Sequence, residues 1–202
     1  MPNLNGPRGF VPSRYLSGAA WAGASNMYCV PSTDTTQINI GDAVKSAVGG
    51  DANGVPYLTK ALGTDTLRGV VVGVLVANPN NPSLVGTTLD LTMQNIPATK
   101  SKDYYILVVD DRDVLFEVQD DGLTALTATA CNKNASFTVA NPTAPGQNSA
   151  SVITTASVAV GAALNLKLMG LVQKADNAYG AYAKWLVRIN QHELGGGNMA
   201  GV

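Results

Sequence analysis

Apolar and polar residues alternate with a period of two in several short runs. Trp185, Val187 and Ile189 interleave with Lys184, Leu186 and Arg188, and Leu164, Leu166 and Leu168 interleave with Asn165, Lys167 and Met169. Leu89, Leu91 and Met93 alternate in the same way with Asp90, Thr92 and Gln94. Successive side chains of a strand point to opposite faces, so the pattern predicts half-buried β-strands. Residues 27–30, 37–40, 43–48, 55–60, 67–76, 124–130, 136–139 and 151–155 add shorter candidates bounded by turn residues. Between 43–48 and 55–60, the run Asp51, Ala52, Asn53, Gly54 predicts a hairpin turn, because Asn-Gly tolerates positive φ. Residues 77–83 and 141–148 hold paired prolines among Asn, Ser and Gly and read as loops. The Ala-rich segment 175–183 is interrupted by Gly180 and predicts a loop or single turn; nothing else carries the stripe of a long helix. About ten short strands at this spacing predict a β-sandwich or closed barrel.

The densest β signal is residues 104–121, YYILVVDDRDVLFEVQDD. In its first run Tyr104, Ile106 and Val108 oppose Tyr105, Leu107 and Val109, so both faces are apolar. In its second run Val114, Phe116 and Val118 share one face, and Leu115, Glu117 and Gln119 share the other. Asp110, Asp111, Arg112 and Asp113 supply a turn, since Asp carboxylates bond nearby backbone amides. The stretch predicts a hairpin, buried on both sides at one end.

Residues 1–24 predict an extended N-terminal arm, because Pro2, Pro7 and Pro12 block ladder bonding and Gly6, Gly9 and Gly18 loosen the backbone. Phe10, Tyr15 and Trp21 are its spaced aromatic anchors. Such rings need a surface to cover them, either the chain's own core or a neighbouring subunit. Residues 25–194 then form the β domain, and 195–202, GGGNMAGV, a flexible tail.

Composition narrows the partner classes. Charged residues make up 13% of the 202, against about 25% in a typical soluble domain. The formal net charge is −1 and the basic residues are scattered, which argues against nucleic-acid binding. No apolar run reaches the roughly 18 residues of a membrane span, and the N-terminus lacks the basic and apolar regions of a signal peptide. Cys29 and Cys131 are therefore expected to be reduced core thiols.

Candidate chemistry is sparse. The single histidine, His192, precedes a glycine run and is expected to be exposed at a frayed strand end, away from any nucleophile. Neither cysteine has a basic neighbour in sequence to activate it. Asp103, Asp110, Asp111, Asp113, Glu117, Asp120 and Asp121 are half of the chain's 14 acidic residues. Arg112 sits inside that cluster, and its spacing matches no Ca²⁺ loop. The bland reading is solvated hairpin ends. The functional reading is an acidic rim, including Asp110, Asp111 and Asp113, that registers on a basic strip of a partner.

Four blocks occur in one order: PRGFVPSRYLSG through NMYCVPSTDT; IGDAVKSAVGGDANGVP; YYILVVDDRDVLFEVQDD; and GLVQKADNAYGAYAKWLVRINQHEL. In these blocks the chain resembles the head decoration, or capsid cement, proteins of tailed bacteriophages. The resemblance covers most of the chain and leaves out 132–155 and the Gly-rich tail. It implies an all-β protein, a single jelly-roll-like β-sandwich or barrel with an N-terminal arm, or alternatively an SH3-like or β-tulip barrel. It further implies a structural virion protein on the outer surface of the capsid, made in the host cytoplasm. The implied partner is the major capsid protein, joined as a homo-oligomer, dimer or trimer. No catalytic residue, cofactor or metal comes with the resemblance. On this reading Phe10, Tyr15 and Trp21 anchor on the shell, and a truncation starting near Gly23 folds but loses shell binding. The rival readings are a β-sandwich adhesin or carbohydrate-binding module using Tyr57, Tyr179 and Tyr182, and an enzyme with paired carboxylates.

Overall fold

The computed structural model describes residues 3–75, 95–144 and 147–195. The alternating run at Leu89, Leu91 and Met93, the loop at 77–83, residues 145–146 of the second loop and the tail beyond Gly195 lie outside the described residues. The fold is all-β. Its strands are β1 (Val11–Tyr15), β2 (Asn26–Val30), β3 (Ile38–Asn39), β4 (Ala43–Gly50), β5 (Pro56–Lys60), β6 (Gly69–Leu75) and β7 (Asn95–Ile96). They continue with β8 (Tyr104–Val109), β9 (Val114–Gln119), β10 (Asn134–Ala135), β11 (Phe137–Thr138), β12 (Val152–Ile153), β13 (Leu166–Leu171) and β14 (Lys184–Ile189). Several of the fourteen are two-residue pairings too short to leave a periodic signature, hence the lower count expected from sequence. Residues 124–130 form no strand: Leu126 and Ala130 alone are buried there, and Ala128–Ala130 is a 3₁₀ turn.

Two β units share the chain. Strands β2, β5, β4, β6 and β8 close a barrel, and β1, β9, β14, β13 and β10 form a five-stranded sheet in that order. The barrel core contains Tyr28, Val30, Val44, Leu58, Val71, Val74, Ile106 and Val108, with Ile38 and Ile96 from the β3–β7 pair. The sheet packs Phe116, Val118, Trp185, Val187, Leu166 and Leu168 into a second core. Val70 and Val109 belong to that second core, although their neighbours Val71 and Val108 face the barrel interior. Along β8, Tyr104, Ile106 and Val108 face the barrel interior, while on the opposite face Val109 enters the sheet core and Tyr105 packs with Cys29 and Val55.

The hairpin expected at 104–121 does not form. Strand β8 pairs with β2 and β6, whereas β9 pairs with β1 and β14, so residues 110–113 cross from barrel to sheet. Both edges of each strand are taken by partners distant in sequence, which outcompete the adjacent strand. The β4–β5 hairpin does form, with the carboxylate of Asp51 accepting the amides of Asn53 and Val55 across its turn.

The N-terminal segment folds onto its own chain. Strand β1 runs antiparallel to β9, from Val11 opposite Glu117 to Tyr15 opposite Val114, and Arg14 bridges back to Ala20. Just before it, the chain crosses the turn after β3 backbone to backbone. The amide of Phe10 donates to the carbonyl of Gly41 at 2.9 Å. Gly9 and Gly41 both have positive φ, and a Cβ on either would lie within 2.5 Å of a carbonyl oxygen on the other strand of the crossing. Glycine is required at both. Beside the crossing, buried Asp42 binds Lys60 at 2.8 Å and accepts the Asn39 amide at 2.8 Å, so the charge it buries is paired.

Candidate functional site

The acidic stretch is used internally. Asp110 is buried, 7% exposed, and accepts hydrogen bonds from the Tyr28 hydroxyl at 2.5 Å and Asn26 Nδ2 at 2.8 Å. Arg68 lies 3.7 Å from its carboxylate and donates to the same Tyr28 oxygen at 2.7 Å. Asp103 accepts the Ser32 amide at 2.7 Å, and Asp121 accepts the Thr155 hydroxyl at 2.6 Å. Asp120 is fully buried and takes the indole N–H of Trp185 at 3.1 Å; burial pushes its carboxyl above the ordinary range. Asp113 binds Arg188 at 2.7 Å, and Glu117 binds Lys174 at 2.7 Å. Asp111 is exposed and caps the turn by accepting the Asp113 amide. The expected acidic rim is therefore not a rim: Asp110 is a buried tie between barrel strands, and Asp113 is matched by a cation of its own chain.

The aromatic anchors also point home. Phe10 is 1% exposed and meets Phe116 and Phe137 edge-on. Tyr15 and Trp21 are half-buried against the same core. Of the two destinations open to these rings, the chain's own core is the one observed, and Phe10 has no surface left to offer a neighbour.

His192 is not exposed. Leu67 exchanges backbone bonds with Gln191 and Glu193, which draws the histidine inward to 6% exposure. Its Nδ1 accepts the Leu194 amide at 3.0 Å, its Nε2 is buried without a hydrogen-bond partner, and burial lowers its pKa. Cys29 and Cys131 are free thiols. Cys29 is fully buried, with its pKa pushed up to about 12 by desolvation, whereas Cys131 is half-exposed rather than in the core. The tyrosines of the carbohydrate reading are not gathered together: Tyr57 packs on Cys29, Val55 and Tyr105 of the barrel, while Tyr179 leans on Trp185 of the sheet.

Among the described residues, the outer face of the five-stranded sheet carries a groove and several charged side chains. Strand register aligns Arg14, Leu115, Arg188 and Lys167 in one row across β1, β9, β14 and β13. The next row holds Val11, Glu117, Leu186 and Gly170. Lys184 follows on the same face of β14 by alternation. Arg112 and Lys174 reach the face through Asp113 and Glu117. Six cations thus stand against Asp113, Glu117 and Asp176, on a chain whose net charge is −1. A groove of about 490 Å³ on this face is lined by Arg14, Leu16, Leu115, Met169, Tyr179 and Leu186 among others. A bulge in β13 at Gly170 opens it.

By period-two alternation this face is the polar side of half-buried strands. The available signal was that Leu115, Leu186 and Met169 are apolar at positions where alternation calls for polar residues. No protein-family model matches the chain, and no curated protein or solved structure matches it.

Proposed function

We propose that this chain is a structural virion protein that decorates the outside of a tailed-phage head and clamps neighbouring major capsid subunits without covalent bonds. The observation that carries the reading is the outer sheet face, where a hydrogen-bonded ladder sets a partly apolar groove beside the exposed Arg14 and a set of paired charges. Such a surface suits lying against another protein, with apolar contact supplying affinity and charge setting register. The sequence blocks resembling head decoration proteins supply the identity of the partner. The aromatic arm is dropped from the binding role and the sheet face replaces it.

The mechanism is mass action. Each copy, as a dimer or trimer, buries surface on two or more shell subunits, so opening the shell must also break those contacts. The test is to incubate purified protein with expanded heads that lack a decoration protein, count bound copies and follow the heads through heating. Saturable binding with a raised disruption temperature supports the reading. Glycan-array binding together with no affinity for heads replaces it with an adhesin.

A further inference from the structure

We propose that Lys60 and Asn141 join through an isopeptide bond, with Asp42 carrying the protons and ammonia leaving. The bond needs no partner and stands apart from the decoration role.

Segments distant in sequence bring the groups together. Lys60 ends β5, opposite Val44 in the barrel ladder. Asp42, in the turn after β3, is fully buried, and so is Asn39 beside it. Asn141 lies 81 residues beyond Lys60, past β11, and its neighbour Ala140 is held by the Ala150 amide at 3.0 Å. Lys60 Nζ stands 2.7 Å from Asn141 Oδ1 and 2.8 Å from Asp42 Oδ2, with the lysine side chain only 8% exposed. A C=O bond is about 1.2 Å long, so Nζ is within about 4 Å of the Asn141 Cγ. That is close to the roughly 3–3.5 Å of an attacking pair.

The amide orientations follow from their partners. The Asp42 carboxylate accepts, so the Asn39 atom 3.1 Å from it is Nδ2, which also reaches Asn141 at 3.2 Å. Asn141 therefore faces two donors, Lys60 Nζ and Asn39 Nδ2, and meets them with its oxygen. Its own Nδ2 is turned away, and the residue is exposed, which gives ammonia a way out. Pro142 follows Asn141, and without a backbone N–H it cannot cyclise onto the side chain. The common ammonia-losing route of asparagine is thus closed at this position.

The step balances within the cluster. Asp42 takes one proton from the Lys60 ammonium and frees the electron pair of Nζ. Nζ attacks Cγ, and the charge developing on Oδ1 meets Asn39 Nδ2, already aimed at it. Asp42 passes its proton to Nδ2, and the Cγ–Nδ2 bond breaks. A second Nζ proton travels through Asp42 to the departing ammonia, which leaves as ammonium with the charge that Lys60 carried. Nζ keeps one hydrogen, the Asp42 carboxylate is restored, and nothing is oxidised or reduced. The product ties barrel strand β5 to the segment beyond β11, whose Phe137 packs in the second core. As with other cross-links, restricting the unfolded chain raises stability.

The test is the intact mass of the purified full chain after incubation, followed by tryptic digestion and peptide sequencing by mass spectrometry. The expected mass is lower than that of the sequence by one ammonia, with a branched peptide joining Lys60 to Asn141. Asn141→Ala and Lys60→Arg should keep their full sequence mass and melt at lower temperature than the linked wild type. Asp42→Asn retains both reacting side chains and should link at least about a hundredfold more slowly. Circular dichroism establishes folding; if Asp42→Asn does not fold, the wild-type mass and the exposed-site variant Asn141→Ala decide the bond. A folded wild type at full sequence mass overturns the proposal and leaves a hydrogen-bonded ion pair. Ammonia loss without the branched peptide, as from cyclisation at Asn53-Gly54, overturns it equally. Undiminished linking in folded Asp42→Asn overturns the role of Asp42.

Discussion

Phe10 stands edge-on to Phe137, their ring centroids 5.2 Å apart at an interplanar angle of 90°. Edge-to-face geometry sets the positive ring edge against the negative face. It joins the N-terminal segment to β11, a strand more than a hundred residues along the chain. With Phe116 at 6.3 Å completing the trio, the segment is part of the core it was expected to leave.

Phe10→Ala should therefore destabilise the protein by about 3–5 kcal/mol, the usual cost of emptying a large aromatic site. Deleting residues 1–22 should cost more, because it also uncovers the β9 edge that β1 pairs. Urea unfolding checks both. A deletion variant that unfolds at the wild-type midpoint would contradict the packing described.

Gly9→Ala should destabilise by about 3 kcal/mol or more, since a Cβ there would sit 2.4 Å from the Gly41 oxygen and 2.6 Å from Ser149 Cβ at φ +65°. Gly6→Ala meets open space and should stay within about 0.5 kcal/mol of wild type. Thermal melts of the two variants give the comparison.

The buried His192 predicts a pH dependence of stability. Burial lowers its pKa in the folded state, while Asp110 and Glu193 act to raise it and Arg68 and Arg112 to lower it. As pH falls below the ordinary value of 6.5, the unfolded chain takes up a proton that the folded chain still refuses. Stability is thus full above 6.5 and declines as pH falls toward the folded pKa, by at most about 1.4 kcal/mol per pH unit. Urea unfolding at pH 7.5 and 5.5 should show the loss in the wild type and a smaller one in His192→Gln. Equal losses in both would place the dependence elsewhere.

The thiols should differ in reactivity. A maleimide added to the folded protein should label Cys131 and leave Cys29, which has no exposed surface and a pKa near 12. Mass spectrometry should find one adduct under native conditions and two in denaturant. Fast double labelling of the native protein would mean that the barrel opens readily at β2.

Much of the fold is legible in local sequence. The alternation at Trp185, Val187 and Ile189 specified the buried face of β14, and the acidic Asp51 turn specified the β4–β5 hairpin. What was not legible depends on pairing between distant strands. Nothing local tells β8 and β9 to join different sheets, since adjacency in sequence favours a hairpin. His192 was misplaced for the same reason, because its burial follows from Leu67 pairing with its neighbours. The carboxylates of 103–121 looked free because their partners, Tyr28, Arg188, Lys174 and Thr155, lie more than thirty residues away. The groove is intermediate: its apolar lining is written in Leu115, Leu186 and Met169, but the row of Arg14, Arg188 and Lys167 exists only once register is set.

The most direct measurement of the central claim is cryo-electron microscopy of expanded heads saturated with this protein. The account predicts ordered density on the outside of the shell, at junctions between capsid subunits, with the outer face of the five-stranded sheet turned toward them. Bare heads at saturating protein, or bound copies with that face turned to solvent, would contradict it.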